Sequence, residues 1–425
     1  MMARSAVALA VACIIAGCVG QSKPALATGS PVRTEPSPVA PSLVPQPTVE
    51  PTGEPTLQPG LGLGSWLPAP DQESVHRVQF RDVVWTGERF VATASLIEAG
   101  GGFLASTDGR IWTHQSGTRP PDFPVSLAAG PGGVVAVGAI DGIPASWFSP
   151  DGLSWTARAS AVPVDPKAAT GDAIEVTDVV ATASGWLAVG REDPDCNVDC
   201  GLAPVRSIVW MSNDGLHWTR GADQASLGGA AMIAVTRHAA GFVAVGLADL
   251  RAAAWTSADG LTWQRAADSP VLDHLSADDP SLWTTMVSVA SGHGVVVAVG
   301  HEGPGGAHGP AARAWWSLDG RTWAIADASD FHSGGETSVM LAAVTATAQG
   351  FVAVGSTSGG CPGGIWDSTD GHAWRCAAGA DRQLAELVPY SVAASDAVTV
   401  VVGIANVPDP PLDGLPGAAW SRRLP

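Results

Sequence analysis

Gly294-Val295-Val296-Val297-Ala298-Val299-Gly300, followed by Trp315-Trp316-Ser317-Leu318-Asp319-Gly320-Arg321-Thr322-Trp323, is the stretch whose pattern decides the fold. Its first part is a short apolar run bounded by glycines, the pattern of a strand buried on both faces. Its second part is a hairpin. Asp-Gly between apolar arms makes a tight turn, because glycine accepts positive φ and the aspartate side chain bonds backbone amides. Tryptophans stand on both arms.

The hairpin signature Ser-x-Asp-Gly-x-x-Trp occurs six times. Its copies are built on Asp108, Gly109 and Trp112; Asp151, Gly152 and Trp155; Asp214, Gly215 and Trp218; Asp259, Gly260 and Trp263; Asp319, Gly320 and Trp323; and Asp370, Gly371 and Trp374. Two residues before each serine stands Leu104, Trp147, Trp210, Trp255, Trp315 or Trp366. The apolar run recurs at 133–138, 185–190, 241–246, 294–300 and 350–355, with divergent copies at 89–94 and 397–403. Small and β-branched residues precede each run. Every unit therefore has four strands, A to D, repeated about every 50 residues, which is the period of a propeller blade. The expected fold is all-β: a seven-bladed β-propeller of four-stranded antiparallel blades. The seventh unit has no Asp-Gly-x-x-Trp, and the segment around Trp66 is expected to supply its outer strand. Such closure leaves no open sheet edge.

The six hairpins resemble the Asp-box of bacterial sialidases and related propellers, whose usual form is Ser-x-Asp-x-Gly-x-x-Trp. Here glycine follows aspartate directly, so the turn is one residue shorter in all six copies. The resemblance covers the propeller region and implies blade architecture. In that family the box lies away from the catalytic face. Sialidase chemistry uses a tyrosine nucleophile paired with a glutamate, an aspartate acid/base and three arginines that hold a carboxylate. The resemblance therefore draws attention to Tyr390, the single tyrosine, close in sequence to Glu386 and Arg382. No Arg-Ile-Pro motif accompanies the first blade, and sialidases of this kind have six blades.

The segment before the repeats is of another character. Residues 1–17 read as a signal peptide: Arg4, an apolar run too short to span a bilayer, then Ile15-Ala16-Gly17 before Cys18. This resembles a bacterial lipobox, so Cys18 is the expected lipidation site and the membrane an expected partner through its lipid. Residues 18–60, where proline recurs from Pro24 to Pro59 among Ser, Thr and Glu, read as a disordered tether. The propeller then occupies residues 61–425, and the expected location is extracytoplasmic, on the cell envelope. The formal net charge of −18 argues against nucleic acid as a partner. Cys196, Cys200, Cys361 and Cys376 remain after the leader and the lipid site, an even number that reads as two disulfides in an exported chain. Sequence proximity favours Cys196–Cys200 and Cys361–Cys376; their spacings do not suit zinc knuckles.

Strand order sorts the connections. B-to-C and D-to-A loops share one face and vary in length, as binding loops do. Candidate residues on it are Glu192, Asp193, Asp195 and Asp199 around a cysteine pair, and His301, Glu302 and His308. The first group has oxygens suited to Ca2+ and the second suits a transition metal, but solvated loops are the favoured reading of both. No cofactor and no metal are expected, and a lone aspartate per hairpin offers too few oxygens for calcium. The function expected from these readings is a non-catalytic binding or scaffold module for a protein or glycan, as a monomeric propeller. The alternatives are a sialidase-like glycoside hydrolase and an assembly factor for a membrane complex.

Overall fold

The structure is a computed structural model; it describes residues 65–70, 72–96, 100–115, 123–140, 143–159, 173–193, 206–272, 283–303, 311–332, 338–377, 384, 386–405 and 415–424. The leader, the tether, Cys18, Asp195, Cys196, Asp199, Cys200, His308 and Arg382 lie outside the described residues.

Seven four-stranded antiparallel sheets form a β-propeller. Strands A to D are Val78–Trp85, Phe90–Leu96, Gly100–Ser106 and Thr113–His114 in blade 1, and Phe123–Gly130, Gly133–Ile140, Ile143–Ser149 and Thr156–Ala159 in blade 2. They are Ala173–Ala181, Trp186–Asp193, Arg206–Ser212 and Trp218–Arg220 in blade 3, and Ala230–His238, Gly241–Ala248, Arg251–Ser257 and Gln264–Arg265 in blade 4. Blade 5 has Trp283–Gly292, Val295–Gly303, Ala311–Ser317 and Trp323–Ile325, and blade 6 has Val339–Thr347, Gly350–Thr357, Ile365–Ser368 and Arg375–Cys376. Blade 7 has Leu387–Ala394, Val398–Ala405 and Gly417–Arg423, and takes its outer strand from Leu67–Pro68. Leu67 pairs with Ser421 and Pro68 with Trp420, so the two ends of the chain share one sheet, as expected from Trp66.

The hairpin turns show why their residues are fixed. In blade 5, Asp319 Oδ1 accepts the backbone N–H groups of Arg321 at 2.8 Å and Thr322 at 2.7 Å. Ser317 Oγ accepts the Gly320 N–H at 2.8 Å, and Trp323 Nε1 donates to the Gly320 carbonyl at 3.1 Å. Equivalent bonds recur in the other turns, for example at Asp108 and Asp259. Those amides hold the carboxyls of Asp108, Asp151, Asp214, Asp259 and Asp319 below the usual carboxylate range, against the effect of burial. The tryptophans on both arms are buried, Trp147, Trp210, Trp255 and Trp366 completely, and each such side chain contributes roughly 3–5 kcal/mol when its removal leaves a cavity. Cys361 and Cys376 form a disulfide that ties strand D of blade 6 to the segment before its strand C.

Each turn also locks onto its neighbour. The turn glycine has φ near +70° and its Cα lies against strand B of the preceding blade. A Cβ on Gly320 would meet Val243 Cγ2 at 2.6 Å, one on Gly215 would meet Val135 at 2.4 Å, and one on Gly109 would meet Val400 of blade 7 at 2.2 Å. At these three turns glycine is thus required both by conformation and by space, whereas at Gly260, with its nearest neighbours at 3.3–3.5 Å, the positive φ is the main demand. The segment leading into a blade packs on that blade's own hairpin: Gln224 Oε1 accepts the Trp263 N–H at 2.8 Å, and Ser226 Oγ donates to the Trp263 carbonyl at 2.9 Å. Gln72 and Ser74 do the same at Trp112. Each such segment buries one apolar plug: Val75, Leu227, Leu272, Phe331 or Leu384.

Gly109→Ala is expected to cost about 2–4 kcal/mol, from overpacking against Val400 plus left-handed backbone strain. Gly87→Ala, at φ +99° with nothing within 4 Å, is expected to cost only the backbone share, about 1–2 kcal/mol. Urea unfolding of the two variants checks this; equal midpoint shifts would remove packing from the account.

Candidate functional site

The innermost strands carry the candidate site. Every strand A contacts strand A of the next blade around the ring. Each also has one β-bulge, where its register with strand B shifts by a residue. The bulged residues are Arg81, Val125, Thr177, Ile233, Val287, Ala342 and Tyr390. A bulge leaves one residue unpaired and re-aims its side chain. Those whose side chains are described are all half-buried, as expected of groups that open onto a narrow axis.

The residue after each bulge faces the neighbouring blade instead. These are Asp82, Ser126, Asp178, Ala234, Ser288, Ala343 and Ser391. Ser391 Oγ donates to Asp82 Oδ1 at 2.7 Å, and Asp82 Oδ2 accepts the Leu127 N–H at 2.7 Å, so blades 7, 1 and 2 are stitched together. Ser126 Oγ donates to Asp178 at 2.6 Å, and Asp178 Oδ2 accepts the Val235 N–H at 2.7 Å, which joins blades 2, 3 and 4. Burial pushes Asp82 up, and pushes Asp178 up to about 7 with a smaller contribution from the Asp82 charge; in both, the hydrogen bonds pull the other way. Both carboxylates are engaged by inter-blade donors.

One arc of the axis is polar. Arg81 Nε donates to Ser95 Oγ at 3.2 Å, its Nη2 lies 3.4 Å from Gln79 Oε1, and its guanidinium carbon sits 5.7 Å from the centre of the Tyr390 ring. Arg81 belongs to blade 1 and Tyr390 to blade 7. Burial raises the Tyr390 phenol, and the Arg81 cation opposes this. Glu175 and Arg191 pair at 2.8 Å across strands A and B of blade 3. Trp283 begins strand A of blade 5, half-buried, on the face of the D-to-A connections. The other arc, at Ile233, Val287 and Ala342, is apolar.

The residues expected in binding loops lie elsewhere. Strand B runs on through Asp193 in blade 3 and Gly303 in blade 5, so Glu192, His301 and Glu302 belong to strands. The Glu192 side chain is fully buried and hydrogen-bonds Arg206 Nε, with Arg220 Nη2 3.6 Å away. Asp223 bridges Arg206 at 3.5 Å and Arg220 at 2.9 Å. Glu302 is paired with Arg313. Asp193 ends its strand, and its side chain is outside the described residues. His301 is 1% exposed, edge-on to Trp283 with ring centres 5.1 Å apart, and neither ring nitrogen has a hydrogen-bond partner among the described residues. Burial lowers its pKa to about 4. Among the described residues no group of three or more His, Cys, Asp and Glu is placed to hold a metal. Glu386 is exposed and makes no hydrogen bond to the Tyr390 hydroxyl. The axial cluster around Arg81 was not foreseen in the sequence, because nothing marks a bulge position by residue type.

No family model matches the chain, and no curated protein matches it. Among solved structures it is similar to an α-L-arabinanase of Penicillium chrysogenum, at 10% identity and TM-score 0.42 over 84% of this chain and 97% of that one. A sialidase of Trypanosoma rangeli matches at 12% identity and TM-score 0.45 over 84% of this chain, which spans 57% of the sialidase's length. The endosialidase of phage phi92 matches at 11% identity and TM-score 0.42, over 85% and 69% of the two chains. At these values the likeness is one of propeller fold and says nothing of chemistry.

The His301 imidazole is held neutral in the fold, so its stabilising share is complete above its unfolded pKa of 6.5 and is lost as pH falls toward about 4. Raised Asp178 acts oppositely, its share fading as pH rises from about 4 through about 7. The two offset each other in the wild type. Relative to His301→Phe, the wild type should therefore lose up to about 3 kcal/mol between pH 7 and pH 4. Denaturant titration of both proteins at the two pH values measures this, and a constant difference would contradict it.

Proposed function

We propose that this protein is a lipid-anchored, extracytoplasmic β-propeller that recognises a glycan at its axial mouth without cleaving it. The observation that carries the reading is the cluster of Gln79, Arg81, Ser95 and Tyr390 at the bulges of blades 1 and 7. A sugar presents hydroxyls on its rim and C–H groups on its faces. Guanidinium and amide groups serve the first, and half-buried aromatic rings such as Tyr390 and Trp283 serve the second. The anchor follows from Cys18 and the tether from residues 18–60; both set a binding disc at a distance from the bilayer. The turns fit a shortened Asp-box, as part of a sialidase-like propeller lineage. The acidic balance of the chain speaks against nucleic acid.

Cleavage is the second reading, favoured by the position of Tyr390 on the axis beside an arginine. A phenol becomes a nucleophile when a neighbouring carboxylate takes its proton. Here burial raises the Tyr390 pKa, and no carboxylate among the described residues accepts from its hydroxyl. Binding without turnover is therefore the main reading.

A glycan panel scored for both binding and release of product tests the two together. The expected result is binding weakened at least about tenfold by Arg81→Ala and by Trp283→Ala, with no turnover. Turnover abolished by Tyr390→Phe would make the protein a hydrolase. No binding to any glycan would overturn the reading and leave a protein partner.

A further inference from the structure

We propose that blade 7 is the gate of the ring, held shut by an ionic clasp between Arg422 and Asp367. In blades 1 to 6 the residue of strand C opposite the start of strand B is the turn serine: Phe90 opposes Ser106, Val134 Ser149, Trp186 Ser212, Phe242 Ser257, Val296 Ser317 and Phe351 Ser368. In blade 7 the corresponding Thr399 opposes Arg422. Strands C and D of this blade come from opposite ends of the chain, so no turn joins them. The interface between blades 6 and 7 is consequently the one without a turn glycine seated on its neighbour.

The receiving side of each interface tells the same story. The residue just before the turn serine takes the next blade's turn: Phe148 lies against Gly215, Met211 against Gly260, Thr256 against Gly320 and Ser421 against Gly109. Trp316 takes His372, with ring centres 3.9 Å apart. In blade 6 that residue is Asp367. Arg422 Nη1 and Nη2 donate to its two oxygens at 2.6 and 2.7 Å, a two-pronged pair whose side chains are 2% and 13% exposed. The Arg422 guanidinium also lies 4.5 Å over the ring of Trp66, the residue before the closing strand. The interior of this interface is apolar like the others, with Trp366 of blade 6 in one cluster with Leu387, Val392, Val401 and Trp420 of blade 7, but at its rim an electrostatic contact stands where a turn glycine sits in the other six. Removing one partner of a buried pair strands the other charge, so this interface is sensitive to the charge of Asp367 in a way the other six are not to any single charge. Blade 7 carries Tyr390 and blade 1 carries Arg81, so an outward swing of blade 7 parts the axial cluster. That last consequence rests on the proposed glycan site; the clasp does not.

Hydrogen exchange of the full chain, read by mass spectrometry, tests the gate without any ligand. Strand amides of residues 387–405 and 417–423 should exchange at least about tenfold faster than those of blades 2 to 5. Asp367→Asn, which keeps shape and removes charge, should widen that gap by about a further tenfold and leave blades 2 to 5 unchanged. Equal rates in blade 7 and blades 2 to 5 of the wild type would overturn the proposal, as would an Asp367→Asn effect spread evenly over all blades. If the variant does not fold, the wild-type comparison decides alone.

Discussion

The structure depends on one contact repeated around the ring: the α-carbon of a turn glycine resting on strand B of the blade before it. In five of the six turns, all but that at Gly260, the distance leaves no room for a methyl group, and the tight turn commits its aspartate to backbone amides. The serine and tryptophan then follow, one accepting the glycine amide and the other donating to its carbonyl. In those five turns the glycine sits on a valine of strand B; under Gly260 the blade 3 residues are Leu187 and Met211. No blade is complete without its predecessor, which is why stability in such a fold is a property of the ring more than of any sheet.

The division between what was legible in the sequence and what was not follows from this. Ser317, Asp319, Gly320 and Trp323 recur by type because each meets a backbone demand that few other residues satisfy. The glycine that ends the B run in blades 3 to 7 is equally constrained: a Cβ on Gly300 would lie 1.9 Å from the Thr285 carbonyl, beside the bulge of strand A. The bulge itself left no mark, since Arg, Val, Thr, Ile, Val, Ala and Tyr occupy it in turn. Only geometry defines that position, and only geometry could find it. The Gln-x-Ser-apolar signature at 72–75 and 224–227 was visible in principle, yet it falls in connections of unequal length, where a periodic pattern is hard to see. His301 and Glu302 were read as loop because a histidine and a glutamate after a glycine look like a break; strand B simply continues, with the imidazole turned inward and the carboxylate turned to Arg313.

The bulge also divides labour between adjacent residues. Arg81 and Tyr390 look toward the axis while Asp82 and Ser391, one residue on, bind the two blades together. The two aspartates beside the bulges are therefore structural: Asp82 and Asp178 are both engaged by donors from neighbouring blades. What is left on the axis is the Arg81 guanidinium, the Gln79 amide, the Tyr390 phenol, the Glu175–Arg191 pair and an apolar arc. That inventory suits a neutral or mixed-polarity ring better than a metal ion.

Among the described residues the outer strand of blade 7 precedes every other strand, and its partner strand follows all of them. A chain emerging from its N-terminus must therefore carry Leu67 and Pro68 unpaired until nearly everything else exists. A long unpaired strand would be an invitation to other copies emerging nearby, which could be captured in its place. With two residues, one of them a proline, it offers them almost nothing to pair with, so the order of synthesis is made harmless by brevity.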